Sequence, residues 1–404
     1  MAEERESGGP GSLRIALVCP YSLSRPGGVQ GQVLGLARSL GRRAHRATIF
    51  APLDDRADVP PGADVVPTGR PVSLPANGSV AAVSLSVPAV ARSLRSLRSA
   101  GFDLVHVHEP FAPGLPYGLL VGRGLPPLVA TFHRSGGSAL YTVFRPLARR
   151  LARRFDLRCA VSDAARSTAS QALGGTYEVC FNGVELDSFR AVEPWPTEHP
   201  TLLFLGRHEE RKGLGVLLDA FVRLRAGPIG GDVPRAVRPV LWIAGHGPET
   251  ATLRRRYPQS ADIRWLGVLS EEEKVRRLVG ARVLCAPSLR GESFGMVLLE
   301  GMAARTVVVA SDIDGYRDAA GGHAVMVPPG DARALAEALA RVVGSGPAGG
   351  VGPEMPTGAE PNAGPADDGS WPDAAAAWAS HWSMDRLAGW YEERYRSVVA
   401  GPAR

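Results

Sequence analysis

The sequence predicts an α/β protein of two doubly wound parallel sheets facing each other across a cleft, with a C-terminal helix returning to pack on a domain surface. Three observations predict it. Short runs that are apolar on both faces alternate with helical patterns along most of the chain. The alternation breaks at a Pro-containing junction over 192–200 and then restarts. A helical pattern rich in aromatics, with Trp378, Trp382, Leu387, Trp390, Tyr391 and Tyr395, follows a Gly/Pro/Ala-rich stretch. Strands buried on both faces belong to parallel sheets covered by helices. Ligands of such sheets bind at the carboxyl ends of the strands.

In chain order, the first strand set reads as 13–19, 47–51, 103–108, 128–132 and 157–161, and the second as 201–205, 240–244, 263–266, 283–286 and 307–310. The organisation expected is a disordered N-terminus over 1–12, a first domain over 13–192 and a second over 198–343. Residues 344–370 contain too few large apolar side chains to offset the entropy of ordering and read as a flexible linker. The tail over 371–404 should cover its aromatics against a domain.

Hydrophobic residues make up 45% of the 404, enough for proper cores, and no apolar run reaches the ~18 residues that span a bilayer. The first twelve residues are polar with no apolar h-region, so no signal peptide is expected and catalysis is expected in the cytoplasm. Cys19, Cys159, Cys180 and Cys285 fit no zinc or redox spacing and read as buried, reduced thiols. The formal charge is +6, and Lys212 and Lys274 are the only lysines, so arginine supplies nearly all the positive charge. A basic balance suits nucleic acid, an anionic membrane or phosphorylated small molecules. No nucleic-acid-binding signature is present, which leaves the last two.

The first strand ends in Pro20-Tyr21 and leads through Arg25-Pro26-Gly27-Gly28-Val29-Gln30 into a helix. Glycines there let the backbone approach a ligand, and the helix start offers unpaired N–H groups to an anion. A plain structural turn fits this stretch equally well. The second set supplies more. Its first strand ends in Gly206-Arg207, then His208-Glu209-Glu210-Arg211-Lys212-Gly213, and a helix starts at Leu214. Arg207, Arg211 and Lys212 at a strand's carboxyl end point to phosphate. Next come Gly291-Glu292-Ser293-Phe294-Gly295 and, eight residues after Glu292, Glu300 on an apolar helix. Eight helical residues rise ~12 Å, the separation of a sugar ring and a ribose in one ligand. A buried Glu300 is costly without a partner, which favours a ligand role.

The Gly206-Arg207…Lys212-Gly213 loop and the Glu292-x7-Glu300 element resemble the paired donor-site motifs of the GT4 family of retaining glycosyltransferases, over most of residues 13–343. Several segments resemble, within it, the phosphatidylinositol α-mannosyltransferases of actinobacteria. These are Val18-Cys19-Pro20-Tyr21-Ser22, Pro26-Gly27-Gly28-Val29-Gln30, Asn77-Gly78-Ser79-Val80, His108-Glu109-Pro110, Ala130-Thr131-Phe132-His133 and Ala160-Val161-Ser162-Asp163, together with the Gly291–Gly295 motif. The resemblance implies the GT-B fold, two Rossmann-like domains, and hexose transfer from a nucleotide sugar, GDP-mannose, to phosphatidylinositol.

By position it implies that Arg207 and Lys212 clamp the donor diphosphate and that Glu292 binds hydroxyls of the transferred hexose, with Ser293, Phe294 and Gly295 beside it. Glu300 would bind the ribose, and Gly27 and Gly28 would lie against the donor phosphates and the acceptor. His133 would stand between the substrates, and Tyr21, Gln30, Asn77 and Arg211 would hold the inositol phosphate. Arg207, Lys212, Glu292 and His133 are the residues the resemblance marks for the transfer step. Same-face attack with the acceptor proton passing to a donor phosphate oxygen needs no protein base, so catalysis is expected from positioning and charge stabilisation.

Asp312-Ile313-Asp314 has the spelling of a metal-binding motif but follows a strand and reads as a strand-to-helix turn, so no obligate metal or other cofactor is expected. The chain departs from the family's pattern in two places. Arg305 stands where the family has a helix-ending glycine after Met-Ala-Ala. Gly136, Gly137 and Ser138 stand where a basic acceptor residue is expected. Arg92, Arg95 and Arg98 share a helical face, and over 144–158 Phe144, Leu147, Ala148, Leu151 and Phe155 form a stripe opposite arginines. Either could meet an anionic bilayer, giving a peripheral location on the inner face of the cell membrane. A family member with a soluble acceptor, and a non-catalytic nucleotide-sugar-binding protein, are the alternative readings.

Overall fold

The computed structural model describes residues 11–25, 27–55, 58–76, 79–134, 145–226, 238–292, 294–344 and 371–401. The expected linker over 344–370, apart from Gly344, and residues 1–10 therefore lie outside the described residues. In chain order the elements of the first half are β1 (Arg14–Val18), α1 (Gly28–Arg42), β2 (Arg46–Ala51), β3 (Asp64–Pro67), β4 (Val72–Ala76), β5 (Ser79–Val83), α2 (Val87–Ser99), β6 (Leu104–His108), α3 (Leu115–Val121), β7 (Leu128–Phe132), α4 (Arg145–Ala152), β8 (Leu157–Ala160), α5 (Asp163–Leu173) and β9 (Glu178–Val179). Those of the second are β10 (Thr201–Leu205), α6 (Leu214–Ala226), β11 (Val240–Ala244), α7 (Thr250–Arg256), β12 (Ile263–Gly267), α8 (Glu271–Gly280), β13 (Val283–Ala286), α9 (Met296–Ala303), β14 (Val307–Ser311), α10 (Asp314–Ala320), β15 (Val325–Val327), α11 (Ala332–Gly344), α12 (Trp371–Ser380) and α13 (Met384–Ala400).

The chain divides into two compact units, Met1–Gly183 with Met384–Arg404, and Val184–Ser383. The aromatic tail is thus shared: α12 belongs to the second unit and α13 to the first.

The first unit holds a seven-stranded sheet in the order β3-β2-β1-β6-β7-β8-β9, parallel throughout. Alternation along β1 sends Ile15 and Leu17 into one core with Val33, Leu36 and Leu40 of α1. Ala16 and Val18 enter the other, with Leu97 of α2 and Leu119 of α3. Each fully buried Leu, Ile or Val contributes roughly 1.5–3 kcal/mol. Leu387, Tyr391 and Tyr395 recur every four residues on α13, so one face of that helix enters the core beside α1. The antiparallel hairpin β4-β5 braces the loop after β1: Ser22 N–H donates to Ala82 O at 2.8 Å, and Tyr21 bridges Val83.

The second unit has six parallel strands in the order β12-β11-β10-β13-β14-β15. Its chain order reverses between β10 and β13, and the loops after those two strands flank the point where such sheets take ligands. Helix α12 is fixed to this unit by Trp378, whose indole N–H donates to Ala319 O at 2.8 Å.

Two expectations change. The helix near 144–158 is described over Arg145–Ala152 and stops short of 158, Phe144 lies outside the described residues, and Leu147, counted in the apolar stripe, is 56% exposed, while Ala148 and Phe155 are buried. Glu300 is half-buried rather than buried, and its charge is paired. All four cysteines are free and buried.

Candidate active site

In the second unit a carboxylate organises the basic loop. After β10 the chain makes a single 3-10 turn over Glu210–Lys212 and closes it at Gly213, with φ +68. A Cβ at Gly213 would lie 2.0 Å from Pro287 O, so only glycine lets this loop meet the one after β13. The two loops are stitched by Leu289 N–H donating to Arg211 O at 2.7 Å. Glu209, 4% exposed, holds Arg207 Nε at 3.1 Å through Oε1 and Arg211 Nε at 3.0 Å through Oε2.

Glu292 comes from the β13 side. Its Oε1 lies 2.7 Å from Lys212 Nζ and 3.1 Å from Arg211 Nη1, and accepts from Ser288 Oγ at 3.1 Å. Ser288 is in turn held by the Tyr316 hydroxyl at 2.8 Å. Gly295 precedes α9 with φ +78, and a Cβ there would meet Tyr316 at 2.6 Å. Three cations against two carboxylates leave the cluster with one positive charge (+3 − 2), a setting for an anion.

Glu300 sits on α9, where Lys274 of α8 reaches it at 3.0 Å and also contacts Glu271 at 2.6 Å. Burial works against the Lys274 charge, yet the two carboxylates hold its pKa above the ordinary value. Phe294 packs edge-on against Trp382, ring centroids 4.9 Å apart. Asp312 and Asp314 both pair with Arg317, and among the described residues no cluster of three or more metal-ligating side chains occurs.

In the first unit, Gly27 stands in extended backbone ahead of α1, with no side-chain cap and no acidic residue in the first turn. The positive end of a 15-residue helix is left open there. The Gln30 amide donates to Ser22 O and Arg25 O, both at 3.2 Å, and ties the loop to the helix.

His133 follows β7. Its backbone N–H donates to Glu109 Oε1 at 2.6 Å, and its Nε2 lies 2.8 Å from His108 Nδ1. Glu109, at the end of β6, has φ 48, an unusual left-handed conformation for a side-chain-bearing residue that costs about 1–2 kcal/mol. Burial raises the Glu109 pKa, and the His133 N–H works the other way. Burial brings His133 down to about 4, with Asn182 pulling upward, so the ring is neutral near pH 7.

Behind His133, His106 Nδ1 lies 2.6 Å from the Tyr395 hydroxyl and Nε2 2.7 Å from Thr131 Oγ1. Thr131 Oγ1 is 2.7 Å from the Tyr391 hydroxyl, which reaches Cys180 Sγ at 3.4 Å.

Of the residues singled out in the sequence, Arg207, Arg211, Lys212 and Glu292 meet in one cluster. Glu300 is paired separately, with Lys274. Tyr21, Gly27 and Gln30 gather after β1, and His133 stands after β7. Asn77 and Ser293 lie outside the described residues. Glu109 and His108 entered the sequence reading only inside a resembling segment, Glu209 only inside the basic loop, Lys274 only as one of the two lysines, and Asn182 not at all. The i, i+2 placement of His106 and His108 on one strand face is the signal that points to part of this.

Comparison with known proteins fits the geometry. Residues 26–188 match the family described as Glycosyltransferase Family 4, and 199–345 the one described as Glycosyl transferases group 1. The phosphatidyl-myo-inositol mannosyltransferase of Mycobacterium tuberculosis (strain ATCC 25618 / H37Rv) is 40% identical over 344 residues, covering 82% of this chain and 88% of the relative. The chain belongs to glycosyltransferase family 4. Another relative in this family, the phosphatidyl-myo-inositol mannosyltransferase of Propionibacterium freudenreichii subsp. shermanii, is 36% identical over 76% of this chain and 79% of its own. The fold of this family 4 glycosyltransferase matches solved GT-B enzymes. A glycosyltransferase from Rickettsia africae ESF-5 superposes with TM-score 0.67 at 15% identity, over 97% of this chain and 100% of that one. Anabaena HepE, solved with UDP and glucose, superposes with TM-score 0.64 at 17% identity, over 95% and 100%.

Proposed function

We propose that this glycosyltransferase moves a mannosyl group from GDP-mannose to phosphatidylinositol, with retention at the anomeric carbon. The observation that carries the reading is the Arg207–Arg211–Lys212 cluster on Glu209 and Glu292 at the point where the second sheet reverses. It is joined by 36–40% identity, over most of the chain, to enzymes named for mannosyl transfer to phosphatidyl-myo-inositol.

The bond between the sugar C1 and the phosphate oxygen breaks, and a bond from C1 to an inositol oxygen forms on the same face. The acceptor proton passes to the departing phosphate. Arg207 and Lys212 neutralise that diphosphate. Glu292 accepts from hexose hydroxyls and Glu300 from the ribose. Before the donor arrives, these carboxylates hold the cations in place, so little rearrangement is needed at the moment of transfer. His133, neutral, orients substrate rather than taking a proton.

The acceptor is a lipid, and no helix among the described residues is long and apolar enough to cross a membrane. A peripheral contact is supported by Arg92, Arg95 and Arg98, all exposed on α2, and by Leu85 and Val87 at the start of that helix, which are 52% and 76% exposed.

The test is an acceptor panel with mass detection: phosphatidylinositol vesicles, soluble inositol phosphate and free sugars, each with GDP-mannose. A hexose added to the lipid alone supports the reading. Addition to the soluble acceptors alone replaces the acceptor, and binding without turnover of any acceptor removes the enzymatic reading.

A further inference from the structure

We propose that His108 is a positioning residue for this transfer: its Nδ1–H occupies the lone pair of His133 Nε2 and holds His133 as a hydrogen-bond donor that cannot act as a base. The proposal rests on the assignment of His133 to the reaction site.

The contact at 2.8 Å needs one proton between two neutral rings, and there are two ways to supply it. If His133 donates, the His108 proton must sit on Nε2. That atom is buried, and among the described residues it has no partner. A buried N–H without an acceptor is among the rarest arrangements in folded proteins, whereas a bare nitrogen lone pair there forfeits less. The favoured arrangement therefore has His108 donating from Nδ1. His133 Nε2 is then an acceptor, and the His133 proton is on Nδ1. The amide oxygen of Asn182, buried beside this ring and without another hydrogen bond, is the group available to accept from it until a substrate oxygen arrives.

The platform under His108 is fixed by the same counting. The Cys180 thiol donates to Ala160 O, so the Tyr391 hydroxyl is free to donate to Cys180 Sγ. Thr131 then donates to Tyr391, His106 Nε2–H to Thr131, and the Tyr395 hydroxyl to His106 Nδ1, leaving no donor in the chain idle. His106 stacks on His108 with ring centroids 4.3 Å apart, and His108 on His133 at 5.1 Å. The ladder runs from α13 to the end of β7 and leaves the last ring one orientation.

Histidine ring 15N spectra of the whole enzyme, with the His133 signals identified by their loss in His133→Asn, test this. The wild type should show a protonated Nδ1 and an acceptor Nε2. His108→Asn keeps a donor near the Nδ1 position and should keep both the spectrum and kcat. His108→Leu removes it. The His133 tautomer should become mixed, and kcat should fall roughly tenfold, the loss of one ordinary hydrogen bond, with KM for GDP-mannose unchanged. A wild-type His133 protonated on Nε2 overturns the proposal, and so does a His108→Leu enzyme with wild-type spectrum and kcat. If His108→Leu does not fold, the wild-type and His108→Asn spectra still decide. Full activity in His133→Asn would remove His133 from the reaction while leaving the tautomer result standing, which separates the two failures.

Discussion

Lys212 Nζ lies 2.7 Å from Glu292 Oε1, and the chain's only other lysine, Lys274, lies 3.0 Å from Glu300. In a protein that otherwise uses arginine for its positive charge, both lysines stand on the two carboxylates of the Glu-x7-Glu element. A lysine is a compact, mobile charge that can leave one anion for another, which an arginine fork does less readily. In the proposed function Lys212 passes from Glu292 to the donor diphosphate as the donor binds, before transfer, while Glu292 turns to the hexose.

Removing either member of that pair should stop turnover. Lys212→Ala and Glu292→Ala are each expected to lower kcat by about a hundredfold or more, the scale of losing one group that stabilises developing charge. Lys212→Arg should not restore it, because the longer planar fork does not fit the same place. Steady-state rates with saturating GDP-mannose check this, and a variant that keeps more than a tenth of the activity counts against the role.

Arg305 has φ 58 at the end of α9, where helices favour glycine. Its Nε pairs with Asp373 of α12 at 2.6 Å, with both side chains more than half exposed. The left-handed conformation costs about 1–2 kcal/mol, and an exposed ion pair returns about 0–1 kcal/mol. Arg305→Gly is therefore expected to raise the melting temperature by about 1–3 °C. A fall would mean that the link to α12 outweighs the strain.

Tyr395→Phe removes only a hydroxyl, but that hydroxyl is hydrogen-bonded to Nδ1 of buried His106 at 2.6 Å. Leaving the imidazole nitrogen unsatisfied is expected to cost about 1–3 kcal/mol. Thermal unfolding should report it as a lower melting temperature, while nucleotide binding in the other unit should not change.

Buried histidines give stability a pH dependence of known sign. Burial lowers His133 and His208 to about 4 and His106 to about 3, from 6.5. The unfolded chain therefore takes up protons first as pH falls. Their contribution is full above about pH 6.5 and is lost as pH drops from there toward 4 and 3. Melting temperature should decline over that window, and His208→Gln should flatten the decline. A wild type equally stable at pH 4.5 and 7 would contradict the assignment of these rings as buried and neutral.

Much of the fold was legible because the central strands are apolar on both faces, as in 128–132 and 240–244, and no other element reads that way. The edge strand β12 was read as 263–266, but the edges of the first sheet and its hairpin were not legible. Strand β3 contains Asp64 and Pro67 and is largely half-exposed, β9 is two exposed residues, and the β4-β5 hairpin has Pro75 within it. The cationic cluster was legible because charge at a strand's carboxyl end has few other uses. The residues that hold them were not. Glu209 reads like its neighbour Glu210 until the loop folds, and Lys274 faces Glu300 from another helix. The ladder behind His133 joins positions 25 to 289 residues apart, a relation that no local pattern carries.

Attachment to membranes should be electrostatic. The enzyme should co-sediment with phosphatidylinositol-containing vesicles at low salt and release as salt rises. Replacing Arg92, Arg95 and Arg98 with glutamine should weaken it. Binding that is indifferent to both salt and these residues would place the contact elsewhere.

The central claim is that the cationic cluster after β10 serves transfer of mannose to a lipid. The direct measurement is incubation with radiolabelled GDP-mannose and phosphatidylinositol, then lipid extraction, for the wild type and Lys212→Ala side by side. Label entering the lipid phase with the wild type and staying in the aqueous phase with the variant is the expected result. Label that never enters the lipid phase, or enters it equally with both proteins, would contradict the account.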